Sequence, residues 1–166
     1  YYGLYIGQVP EGDVFEILRG GAGLTAAALG GLPAERETYR YQPGKWSLRE
    51  VLGHVIDVER VFSHRALCFA RRDPTPLPGM DQDVWAAGSN AGDRAVSSLL
   101  DDLASARASS LAMLESLPAD AWDRCGIASG FEFTVRACAY ILAGHEIHHR
   151  RVLAEKYLRP LREQSG

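Results

Sequence analysis

Three of the chain's five histidines fall within His145-Glu146-Ile147-His148-His149, which reads H-E-x-x-H. On a helix, four residues leave His145 and His149 about 40° apart in azimuth and about 6 Å apart along the axis. Two imidazoles so placed reach one metal ion. The pattern first suggests a zinc peptidase, with Glu146 as its base. That chemistry needs a third ligand, usually further along the chain. Only 17 residues follow His149, their acids are Glu155 and Glu163, and no extended H-x-x-G-x-x-H pattern is present. The other source of a third ligand is His54, far upstream. Its neighbours Val51, Leu52, Val55 and Val58 put it on an apolar stripe, where a histidine is more often a satisfied core residue than a ligand. In helical bundles, however, facing helices supply inward ligands. Three histidines with an open position match a catalytic zinc-type centre, and nickel or iron also accepts imidazole.

Other chemistry-bearing residues have weaker claims. His148 lies 100° from His149 and reads as a rim residue. His64 is about 80° from His54 and nearly three turns away, which favours a non-ligand role. Glu146 is 100° from His145 and points away from the ion. Asp57, one turn after His54, is either an orienting partner for an imidazole or an exposed helix carboxylate. Cys138 is two turns before His145, about 10 Å away, and reads as core. Glu59 with Arg60, or Arg107, could form buried or pocket-edge ion pairs, with surface pairing as the default. Trp85 and Trp122 read as core or lid aromatics. No residue stands out as a general base, so the catalytic group is unassigned beyond a water held by the metal.

The elements that carry these residues are helical. Asp13 starts a first helix, with Val14, Ile17, Leu18 and Leu24 at helical spacing and Gly20, Gly21 and Gly23 against it. Gly30, Gly31 and Pro33 end it. Ser47 and Glu50 form a capping box for a second helix that runs to about Arg71. Residues 73–92 form a long ordered loop, with a short helical turn near Trp85, expected to shape a substrate mouth. Asp93 is the expected cap of a third helix, which runs to about Leu117. Thr134 caps the last, which runs to about Leu158. Residues 1–10 and the two connectors, 34–46 and 119–133, read as irregular. No stretch shows strand alternation. The expected architecture is an all-α four-helix bundle with long ordered loops, forming one domain over 1–166.

Composition bounds the function. The 166 residues carry 18 Lys and Arg against 21 Asp and Glu, for a net charge of −3. No basic stripe favours nucleic acid, and no apolar run approaches the ~20 residues of a membrane span. Cys68, Cys125 and Cys138 are odd in number and form no C-x-x-C pair, which fits reduced thiols and a cytoplasmic setting. The start at Tyr1-Tyr2-Gly3 lacks Met and a secretory pattern, so the expected natural N-terminus lies upstream.

The chain resembles the DinB-like superfamily of YfiT-like bundles over nearly its whole length. The likeness lies in Tyr5-Ile6-Gly7 with Gly12-Asp13 and in Lys45-Trp46-Ser47-Leu48-Arg49-Glu50. It continues in Gly53-His54-Val55-Ile56-Asp57, Glu59-Arg60, Arg65-Ala66-Leu67 and Pro76-Leu77-Pro78-Gly79-Met80-Asp81. It closes in Ala143-Gly144-His145-Glu146-Ile147-His148-His149. The resemblance implies a metal triad at His54, His145 and His149, holding zinc or nickel. It implies hydrolysis or low-molecular-weight-thiol transfer on a small-molecule substrate, and a homodimer. A non-catalytic, stress-related metal-binding bundle is the alternative.

Overall fold

The four apolar stripes become four long helices in the computed structural model, which describes residues 2–159. They are α2 (Val14–Leu29), α4 (Leu48–Ala70), α6 (Val96–Glu115) and α7 (Val135–Val152). The last continues as a π-helical turn over Leu153–Leu158, so the helical path reaches the expected end at Leu158. Three starts follow their local sequence. Asp13 accepts from the Phe15 amide at 2.8 Å. Ser47 and Glu50 make both bonds of the capping box, and Thr134 accepts from the Ala137 amide at 3.0 Å. Each satisfies an amide that a helix N-terminus leaves unpaired.

The start of α6 differs from expectation. Asp93 falls in a 3-10 turn over Ala91–Asp93, and the N-cap is Ala95, which has no side chain able to cap. The acceptor comes from far away in sequence. Glu37 Oε2 takes the Val96 amide at 3.0 Å while also pairing with Arg49 at 2.6 Å. Glu37 belongs to α3 (Ala34–Glu37), a single turn inside the expected irregular connector. A second short helix, α1 (Gly3–Ile6), forms within the aromatic N-terminal stretch. The helical turn near Trp85 is α5 (Gln82–Gly88), capped by Asp81.

The absence of strands is corrected as well. Strands β1 (Cys125–Ala128) and β2 (Phe131–Thr134) pair antiparallel, with Ala128 opposite Phe131. Both turn residues, Ser129 and Gly130, have positive φ, at 53° and 79°. That fits the two-residue turn whose twist matches a hairpin. The proline-rich loop is laced to it. Leu77 donates to the Ile127 carbonyl at 2.9 Å and accepts from the Ser129 amide at 3.1 Å.

Helix α4 packs against α6 and α7, and α2 packs against the same pair, with α1 against α7. One apolar cluster is centred on Leu18, Phe62, Phe69 and Ile141, a second on Leu52, Leu99, Leu103 and Tyr157. Two glycines permit the close approaches. A Cβ on Gly144 would sit 2.0 Å from the Tyr5 carbonyl oxygen, so α1 rests directly on the backbone of α7. A Cβ on Gly21 would sit 2.5 Å from the Glu146 carboxylate. No helix among the described residues is long and apolar enough to cross a membrane.

Candidate metal centre

The packing of α4 on α7 brings His54, His145 and His149 together. One ring nitrogen from each lies within 4.8 Å of the other two. The Nε2 atoms of His54 and His145 are 3.1 Å apart. Ring centroids are separated by 4.9 Å for His54–His145, 5.0 Å for His54–His149 and 4.4 Å for His145–His149. His54 and His145 are buried, and His149 is partly so.

Burial sets the protonation state. It pushes His54 down to about 4 and His149 down to about 3. His145 is lowered well below the ordinary imidazole range, first by burial and then by repulsion from His149, His54 and His148. All three rings are therefore neutral near pH 7, the state in which imidazole coordinates a metal. His149 Nδ1 is fully buried without a hydrogen-bond partner among the described residues. An orphaned buried nitrogen is costly, and a bound ligand offsets that cost. The cluster fits a metal site.

Aromatic residues wall the centre. Trp46, just ahead of the Ser47 cap, lies 4.9 Å from the His54 ring, and Tyr5 of α1 lies 5.1 Å from the His145 ring. Two cavities reach the cluster. The larger, about 690 Å3, is lined by His149, His148, Lys45, Trp46 and Asp83. The smaller, about 190 Å3, is lined by His54, His145, Tyr5, Phe62 and Arg65. Gln82, at the start of α5, lines both. The long loop borders the larger cavity at Gln82 and Asp83, whereas Asp81 and Trp85 line neither cavity at the histidines. The loop borders the smaller cavity at Met80 and Gln82. Gln82 and Asp83 carry no periodic signal. The only sequence cue to them is the Asp81 cap.

The remaining candidates fall elsewhere. His148 stands at the rim, 3.4 Å from Gln8 Nε2 through its Nδ1. His64 is exposed beside Cys68, with 3.6 Å between Nε2 and Sγ. Burial pushes the Cys68 thiol up, so it carries no activated thiolate. Cys138 is buried and pushed up to about 12 by desolvation, in keeping with a core role. Asp57 lines an outer cavity with Arg60, and burial raises its carboxyl. Trp122 packs on Phe15 and Arg136, while Trp85 is 45% exposed.

Surface pairing is wrong for Glu59 and Arg107. Both are buried, and the Arg107 guanidinium donates to the Glu59 carboxylate through Nε at 2.9 Å and Nη2 at 2.8 Å. It also donates to the Leu18 carbonyl and meets Glu146 Oε2 at 2.8 Å. Glu146 accepts from the Thr25 hydroxyl at 2.7 Å. As expected, its carboxylate turns away from the histidines. Arg60 does pair at the surface, with Asp102.

A family profile described as the DinB superfamily matches residues 18–153. The chain belongs to the DinB superfamily. The matched span carries all three clustered histidines. Among solved structures, this DinB-superfamily chain is similar to YfiT from Bacillus subtilis. The TM-score is 0.77 at 16% identity, over 91% of each chain. That protein is described as a probable metal-dependent hydrolase with an unusual four-helix bundle topology. The likeness carries the four-helix bundle fold. No curated protein matches the chain.

Proposed function

We propose that this DinB-superfamily protein is a metal-dependent enzyme acting on a small molecule. His54, His145 and His149 hold its divalent ion. The observation that carries the reading is the convergence of three neutral imidazoles that line two cavities. The donor set is nitrogen only, His54, His145 and His149. Imidazole donors suit zinc or nickel better than calcium or magnesium. When bound, such an ion supplies Lewis acidity, which serves hydrolysis and low-molecular-weight-thiol transfer alike. The description of YfiT as a probable metal-dependent hydrolase supports the first.

The chain's own residues do the rest. Trp46 packs on the His54 ring in a tilted contact and Tyr5 on the His145 ring in an edge contact, and the two hold those rings in place. Val58, Phe62 and Ile141 give the smaller cavity an apolar wall. Gln82, which lines both cavities, offers an amide donor and acceptor.

The test is a screen of zinc- and nickel-loaded protein against small esters, amides, and electrophiles paired with low-molecular-weight thiols. Turnover on at least one class, lost by more than 100-fold in His149→Ala, is expected. Metal-loaded protein inert across all classes would make the chain a metal-binding module without catalysis.

A further inference from the structure

Among the described residues, one buried charge has no counter-charge. Arg65 of α4 is 2% exposed. Its Nη2 donates to the Pro78 carbonyl at 2.9 Å and to the Ser129 hydroxyl at 3.0 Å. Its guanidinium lies 4.7 Å from the centroid of the Phe62 ring. No carboxylate among the described residues pairs with it. Arg107 shows how this fold otherwise treats a buried guanidinium. At 3% side-chain exposure it has two carboxylates and a carbonyl. A buried cation without a partner is costly and uncommon.

Arg65 has donors to spare. A guanidinium has five N–H groups, and two acceptors occupy Nη2. Nε and Nη1 have no acceptor in the described residues, yet neither is fully occluded. Arg65 lines the same 190 Å3 cavity as His54 and His145. It also borders an outer cavity of about 390 Å3 with Leu77, Met80 and Trp85. On α4 it follows His54 by eleven residues, which is about 20° of azimuth and about 16 Å of rise. The two side chains therefore stand on one helix face.

We infer that Arg65 anchors a carboxylate on the substrate, whose uncharged body runs along the apolar wall towards the histidine cluster. The inference rests on the reading of that cluster as an enzyme site. Charge selects a monoanion. Arg65 brings one positive charge, and Arg60, the nearest other cation at the outer cavity, is already paired with Asp102. The walls at Val58, Phe62, Met80 and Ile141 take hydrocarbon. Guanidinium matches carboxylate in geometry and stays charged at every working pH.

The probes are 3-phenylpropionate and its neutral amide, 3-phenylpropanamide, titrated calorimetrically into zinc-loaded protein. The wild type should bind the carboxylate at least tenfold more tightly. Arg65→Lys should keep part of that preference. Arg65→Gln should reduce it below threefold, with circular dichroism and zinc stoichiometry unchanged. His149→Ala should keep it, because the preference belongs to Arg65. Equal affinity for both probes in the wild type overturns the inference. So does a preference that Arg65→Gln retains or His149→Ala abolishes, since the carboxylate then sits on the metal. Should Arg65→Gln fail to fold, the wild-type ratio and Arg65→Lys decide. An Arg65-dependent preference in protein that retains no zinc sustains the anchor and overturns the metal reading alone.

Discussion

Glu146 and Arg107 meet at 2.8 Å with both side chains 3% exposed, one residue beyond His145. The H-E-x-x-H pattern therefore divides between two tasks. Its histidines turn towards α4, and its glutamate turns into a closed network with Arg107, Thr25 and, through the arginine, Glu59. A carboxylate held by a guanidinium and a hydroxyl has no free reach towards a substrate. Its neutralisation should cost stability, because Arg107 loses one of its two buried, charge-assisted partners.

Glu146→Gln should accordingly lower unfolding free energy by about 2 kcal/mol, since Arg107 keeps Glu59. Zinc affinity should stay within threefold of wild type. Urea unfolding and zinc titration on one preparation check both numbers. A 100-fold loss of zinc affinity with unchanged stability would return Glu146 to the metal centre.

Gly144→Ala tests the seat of α1. The added Cβ would meet backbone, the Tyr5 carbonyl oxygen at 2.0 Å, so no rotamer change relieves it. Overpacking of this kind costs about 1–3 kcal/mol. The helix should shift, and Tyr5 should lose its 5.1 Å contact with the His145 ring. The check is thermal unfolding together with the His145 ring resonances. Wild-type values for both would mean that α1 does not lie against α7.

The metal-free protein should weaken on acidification. In the unfolded chain each imidazole titrates near 6.5, whereas folding pushes His54 down to about 4 and His149 down to about 3. Below pH 6.5 the unfolded state takes up protons that the native state refuses. Stability is complete above that value and falls from pH 6.5 to about 4 for His54 and to about 3 for His149, by up to about 1.4 kcal/mol per pH unit for each. Denaturant midpoints at pH 7.5, 6 and 5 read the slope. His54→Gln should flatten it, and an unaltered slope in that variant would contradict the assignment.

What the sequence made legible was local. Asp13, Ser47 with Glu50, and Thr134 cap helices through atoms two or three residues away, so their roles can be read from spacing. His54 could be placed because Val51, Val55 and Val58 mark the inward stripe of its own helix. What escaped was tertiary. The acceptor for α6 comes from Glu37, 59 residues before Val96. Periodicity shows which residues of a helix share a face, not what that face meets, so surface pairing stood as the default for Glu59 and Arg107 over the buried pair they form. The hairpin strands are four residues each, too short for alternation to show. The aromatic wall needed α1, a four-residue helix held by contact with α7 more than by its own sequence.

The central claim is that one metal ion sits among His54, His145 and His149. The most direct measurement is an anomalous-difference map at the zinc edge, from crystals of protein loaded with one equivalent of zinc. The prediction is a single strong peak with three imidazole nitrogens at about 2.0–2.1 Å, one from each histidine. A peak elsewhere, or none from protein that carries stoichiometric zinc, would contradict it.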